Sequence, residues 1–179
     1  NLAGDHVKGP LAGQDLHPRV AAGVRRHRRV DALTDAHPAY RSALRVFPAG
    51  ERRYAGIALD IVFDYYLARH WARFSDEPLE VFRQRVYRVL RTHDRWLPPA
   101  FAPLGRAWAD AQWLRAYDTR TGMEAVLERL ARRRRRELPV AALMATLARE
   151  DAAFEAAFEA VFPAVRAAVE ASPGPLEDR

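Results

Sequence analysis

The chain has 179 residues, enough for one well-buried core and too few for two comfortable domains, so a single domain over residues 1–179 is expected. A hydrophobic fraction of 49% and a charged fraction of 29%, without polar repeats, exclude a disordered chain, and no apolar run reaches the roughly 20 residues that a membrane span needs. The absence of cysteine removes disulfides, thiolate metal ligands and thiol nucleophiles, and a net charge of +6 points to an acidic partner: nucleic acid, a phosphorylated metabolite or an acidic protein.

Asn1 to Lys8 is a short segment stopped by Gly9-Pro10, in which Asp5 is either a ligand reaching in from the first turn or part of a frayed helix end. No secretory leader pattern opens the chain, and because it begins with Asn1 rather than Met its native start is expected to be missing. His17-Pro18 begins a helix with proline in its first position. Along it His27, Asp31 and Asp35 recur four apart, a spacing that stacks side chains on one helical face, with Arg25, Arg26, Arg28 and Arg29 around them. This helix bends or stops near His37-Pro38, and a short one follows over Ala39 to Phe47.

Arg52 to Trp71 is apolar nearly all round, which predicts a helix through the middle of the fold, yet it carries Asp60 and Asp64 four apart. Ser75-Asp76-Glu77-Pro78 caps a helix from Leu79 to about Leu97, with Val81 or Phe82, Val86, Val89 or Leu90, and Trp96 or Leu97 as its apolar positions. Leu104 to Tyr117 is helical, with Trp108 and Trp113 offering large burial, and Asp118 to Gly122 is a turn in which Thr121 can cap the next helix, Met123 to Glu137. That helix ends in the run Arg132 to Arg136, either a solvated helix end or a grip on an acidic partner. Pro139 opens a last helical segment with apolar residues from Leu143 to Val165, ended by Ser172-Pro173-Gly174-Pro175. With no strand pattern and no fixed repeat, the expected fold is an all-α bundle of about six or seven helices.

A carboxylate on an apolar helix must be paired, protonated or bound to a cation if it is buried. Arginines could neutralise Asp60 and Asp64, but His27 with Asp31 offers a second pair of ligands, and oxygen donors with one imidazole suit Mn2+ ahead of Mg2+. Asp35 could ligate, orient His27 or cap a turn. His93-Asp94 reads as a helix end, His70 as a packing or hydrogen-bonding residue, and His17 and His37 as helix boundaries. There is no phosphate-binding glycine loop and no G-x-S-x-G turn, which leaves metal-assisted chemistry on a phosphate, with arginines holding the negative oxygens.

Three segments carry a resemblance. GDHVKG (Gly4 to Gly9), VAAGVRRHRRVDALTD (Val20 to Asp35) and ALDIVFDYYLARHW (Ala58 to Trp71) resemble segments of the acyl carrier protein phosphodiesterase family, which carry G-D-F-V-K/R-G, H-R-R-I/V-D-x-x-T-D and L-D-I/V-x-x-D-H/Y-F/Y-L-x-x-H-W. The likeness continues more loosely through Ala111-Gln112-Trp113-Leu114 and Tyr117. It implies a helical, HD-phosphohydrolase-like, cytoplasmic enzyme that uses Mn2+, or Mg2+, to hydrolyse the 4'-phosphopantetheine–serine link of holo-acyl carrier protein. On its motif positions fall Asp5, His27, Asp31, Asp60 and Asp64 as metal ligands, with His27, Asp31 and Asp60 catalytic. Lys8, Arg25, Arg26, Arg28 and Arg29 are placed near the phosphate or the acidic carrier surface, and no membrane or nucleic-acid partner is expected. His6 stands where the family has an aromatic residue, and a family segment that precedes Gly4 is missing here. Two alternatives use the same residues differently: an HD-like phosphohydrolase of a small nucleotide such as an alarmone, and an arginine-rich module that binds nucleic acid without metal.

Overall fold

The structure, a computed structural model, describes residues 4–133 and 138–171. The expectations for Arg134, Arg135 and Arg136 and for Ser172 to Pro175 lie outside the described residues, as do the side chains of Asp5, Asp94 and Arg133. Eight α-helices are present among the described residues, with short 3-10 segments and no strand. They are α1 (Pro18–Ala36), α2 (Pro38–Val46), α3 (Ala55–Arg69), α4 (Leu79–Thr92), α5 (Ala102–Asp110), α6 (Arg120–Arg133), α7 (Val140–Arg149) and α8 (Asp151–Glu170). The all-α class matches the helical periodicities of the sequence. The eighth helix arises because the last segment, read from sequence as one, breaks at Glu150.

Helix boundaries follow local chemistry. His17 and His37 each accept, at Nδ1, a hydrogen bond from the backbone N–H two residues on, at Arg19 and Ala39, both 3.2 Å. An imidazole thus fills the N-cap role that Ser or Asp usually plays. At α6 the cap is Thr119, whose hydroxyl accepts from the Gly122 N–H at 3.0 Å, and Thr121, the expected cap, already lies in the first helical turn.

The chain's contacts group it into two compact units. The first comprises Asn1–Asp35, Glu80–Trp113 and Ala164–Arg179. Its core gathers Val7, Val20 and Val24 with Leu11, Leu16 and Trp96. Beside it His6 packs on Phe101 at 4.8 Å between ring centroids, and Phe101, Trp108, Trp113 and Tyr87 continue ring to ring. α4 turns Arg83, Tyr87 and Leu90 inward, so of the expected pairs Val81 or Phe82 and Val89 or Leu90 it is the two valines that face solvent. The helix also ends at Thr92, short of Leu97, and His93 tilts onto Trp96 in the 3-10 turn that follows.

The second unit, Ala36–Leu79 and Leu114–Pro163, is built on α3, which packs against α2, α6 and α7. Its buried residues Ala58, Leu59, Ile61, Val62 and Tyr66 share one side of the helix. Phe47 stacks on Phe154, and Phe63, Phe158 and Phe162 extend that apolar seam. Three rungs then tie the end of α3 and the turn after it to α8: Tyr66 with Asp151, His70 with Glu155, and Arg73 with Glu159. The α8 partners are four residues apart, one per turn, which makes the ladder. Burial alone would raise the Asp151 carboxyl, but hydrogen bonds from Tyr66 and Arg120 and the Arg120 charge outweigh it and hold it below the usual carboxylate range. His70 is thereby committed to Glu155.

Candidate functional site

In the first unit, α1 sets His27 and Asp31 one turn apart, and Nε2 of the imidazole lies 3.4 Å from the Asp31 carboxylate. His27 is mostly covered while Asp31 is half exposed, so the pair opens to water on its acidic side. The ring is held from the other side by the 3-10 turn Gly4–His6. A Cβ at Gly4 would overlap the Cδ2, Cγ and Nε2 atoms of His27, so only glycine lets the turn lie this close.

The arginines of α1 separate into two kinds. Nη2 of Arg28 donates to the carbonyls of Val7 and Gly9 at 2.9 and 2.8 Å, strapping the N-terminal segment to α1. Nη2 of Arg29 donates to the Ala168 carbonyl at 2.8 Å, where a cation complements the C-terminal end of α8. Both residues, expected near the phosphate or the carrier surface, reach backbone carbonyls here. Lys8, Arg25 and Arg26 are exposed, as is Asp35 at the far end of the helix.

In the second unit, Asp60 and Asp64 stand on the side of α3 opposite Leu59, Val62 and Tyr66, and both are exposed. The expectation of carboxylates sealed within an apolar helix is therefore corrected: α3 is apolar enough to cross the core, but its packing leaves one acidic strip open. The Tyr40 hydroxyl donates to Oδ1 of Asp60 at 3.2 Å. For Asp64, burial by surrounding protein and then the neighbouring Asp60 charge push the carboxyl up to about 7, while a hydrogen bond from Tyr117 lowers it.

Tyr117 reads from the sequence only as part of the looser likeness and as the end of a helix from Leu104, with no site role. That helix stops at Asp110, Gln112 takes a left-handed φ of 47°, and a six-residue 3-10 segment, Trp113–Asp118, follows. The segment is held from the α6 side: a Cβ at Gly122 would collide with the Ala116 carbonyl, so glycine there permits the backbones to touch. Burial, followed by the Asp64 charge and its hydrogen bond, raises the Tyr117 hydroxyl well above its ordinary value, which keeps it a donor. The local signal was the pair Thr119 and Gly122, a cap and a close approach that fix where Tyr117 points.

Among the described residues no three His, Asp or Glu side chains gather as a ready metal cluster. The donor chemistry still fits a hard cation at Asp60 and Asp64, since two carboxylates whose charges oppose one another gain from a divalent ion, and Mg2+ or Mn2+ fills its other positions with water or substrate oxygens. His27 with Asp31 offers one nitrogen and one oxygen ligand by the same logic. No helix among the described residues is long and apolar enough to cross a membrane.

Comparison with known proteins adds a second line. A family model described as acyl carrier protein phosphodiesterase matches residues 1–165. A protein of that name from Serratia proteamaculans (strain 568) is 38% identical over 151 residues, covering 83% of this chain and 77% of its own length. Another, from Escherichia coli O139:H28 (strain E24377A / ETEC), is 38% identical over 141 residues, 76% of this chain and 70% of its own. No solved structure matches.

Proposed function

Since this chain belongs to the acyl carrier protein phosphodiesterase family, we propose that it is a cytoplasmic enzyme hydrolysing the phosphodiester between 4'-phosphopantetheine and a serine of holo-acyl carrier protein. Water adds to phosphorus, the bond from phosphorus to the serine oxygen breaks, and that oxygen leaves with a proton to give apo-protein and the free phosphopantetheine arm. The observation that carries this reading is the coupled pair Asp60 and Asp64 on the open strip of α3, joined to hydroxyl donors at Tyr40 and Tyr117.

Asp60 with Asp64, and His27 with Asp31 beside the turn that bears Asp5, are the pairs proposed to bind divalent metal, Mn2+ first and Mg2+ second. Such an ion supplies Lewis-acid polarisation of the phosphodiester and a more acidic water at neutral pH. The protein's part is to hold these groups in place. Asp31 orients the His27 ring and Gly4 backs it, so the imidazole is set to exchange a proton at a fixed position. Tyr117 and Tyr40 fix the carboxylates that would otherwise repel each other apart. Lys8, Arg25 and Arg26 are exposed and cationic, and are proposed to meet the negative substrate.

The test is incubation of the protein with holo-acyl carrier protein and Mn2+, followed by mass spectrometry of the carrier. The prosthetic arm should be lost, and Asp60→Ala or Asp64→Ala should stop the loss while circular dichroism keeps its helical signature. A carrier that keeps its arm under these conditions removes the reading.

A further inference from the structure

The large apolar side chains most exposed among the described residues are Val81 and Val89, at 53% and 48%, and both belong to α4. Eight residues apart with Arg85 between them, they fall on one stripe of the helix, and Arg88 and Thr92 flank it. α4 is also strongly cationic, with four arginines against one glutamate. Arg83 is turned inward, Arg91 pairs with Asp110 at 2.9 Å, and Arg85 and Arg88 are exposed on the side of the two valines. The Arg85 guanidinium lies over the Phe82 ring at 5.2 Å, a contact that steadies its place beside the stripe. Valine is a poorer helix former than most polar residues, so at a solvent-facing site it gains nothing for the helix itself.

We propose that the stripe Val81, Arg85, Arg88 and Val89 is the docking surface for an acidic helix of the carrier protein, a step that rests on the reading above. Charge complementarity selects the occupant. A carboxylate-bearing helix with a few apolar residues satisfies both valines and both guanidiniums, and α4, about 21 Å long at 1.5 Å per residue, is matched to one such helix lying along it. A second copy of this chain would set arginine against arginine. Nucleic acid would use the guanidiniums but has no partner for two valines placed between and beside them.

The experiment measures binding of fluorescently labelled holo-acyl carrier protein, with its turnover and the hydrolysis of bis(p-nitrophenyl) phosphate, for the wild type and for Arg85→Glu/Arg88→Glu and Val81→Asp/Val89→Asp. Both variants should bind the carrier about tenfold or more weaker and raise its KM with kcat little changed, while hydrolysis of the small diester, which needs no docking, stays at the wild-type rate. Carrier affinity within twofold of wild type in both variants would overturn the docking surface and leave the proposed reaction standing. A variant that loses duplex DNA binding while keeping its carrier affinity would overturn it in favour of nucleic acid. A wild-type protein that neither binds nor cleaves the carrier removes the reaction and the docking surface together.

Discussion

The Tyr117 hydroxyl donates to the Asp64 carboxylate, and this bond works against the burial and the Asp60 charge that together hold a proton on Asp64. Tyr117→Phe keeps the ring and removes the bond, so the Asp64 carboxyl should rise further above about 7. Because a metal ligand must be ionised to bind, the pH at which Mn2+ binding is half-maximal should move up with it. One pKa unit is worth tenfold in the ionised fraction below the midpoint, so a loss of affinity of up to about tenfold near neutral pH is expected. Mn2+ titrations followed by electron paramagnetic resonance at several pH values read this directly, and an unmoved midpoint would show that the bond has no part in tuning Asp64.

The same carboxyl gives the metal-free protein a pH dependence of known sign. Its folded pKa, about 7, is raised above the ordinary carboxylate value, so the folded chain holds a proton that the unfolded chain has lost. Stability from this group is complete below the unfolded pKa, falls as pH climbs toward 7, and stays low beyond it. Asp151 acts in the opposite sense, since its lowered pKa adds stability at neutral pH that acid removes. The difference between wild type and Asp64→Asn isolates the first effect. In urea unfolding without metal, the variant should gain on wild type as pH rises from about 4 to about 7. A constant gap across that range would contradict the placement of Asp64.

What could be read in the sequence was periodic and what could not was rotational. The i to i+4 spacing of His27 with Asp31 and of Asp60 with Asp64 follows from helical geometry alone, and both pairs share a helix side in the structure. Which side faces solvent does not follow: α3 is apolar on too many sides for periodicity to tell the open strip, and α4 buries Arg83 and Tyr87 in place of two valines. That Arg28 and Arg29 reach backbone carbonyls could not be read either, because a guanidinium suits a carbonyl as well as a phosphate and only the fold brings the carbonyls within reach. Tyr117 was hidden because a 3-10 segment changes the facing of every residue after Asp110.

Gly4 and His27 supply a test of positioning in the first unit. Any side chain at Gly4 meets the imidazole, and since the ring is the movable partner, Gly4→Ala should swing it away from Asp31. A displacement on the order of 1 Å at a catalytic group costs about a hundredfold in rate, so kcat for the carrier should fall by one to two orders while helicity is kept. The imidazole resonances of His27 in NMR spectra should shift in the variant. Unchanged resonances with unchanged kcat would mean that the turn, and not the ring, gives way.

Thr119 and Gly122 together separate stability from site geometry in the second unit. Thr119→Ala removes the cap on the Gly122 N–H, a loss of about 1 kcal/mol with no demand on the backbone path. Gly122→Ala drives a methyl group into the Ala116 carbonyl, one residue before Tyr117, and the helix and the 3-10 segment must part. Overpacking of this kind costs about 1–3 kcal/mol, so denaturant midpoints should fall in both variants. Only the glycine variant moves Tyr117, so it alone should show the raised pH midpoint for Mn2+ binding expected of Tyr117→Phe. If Thr119→Ala shifts that midpoint as far as Gly122→Ala does, general loosening of α6 explains both, and the close approach at Ala116 has no separate role in holding the hydroxyl on Asp64.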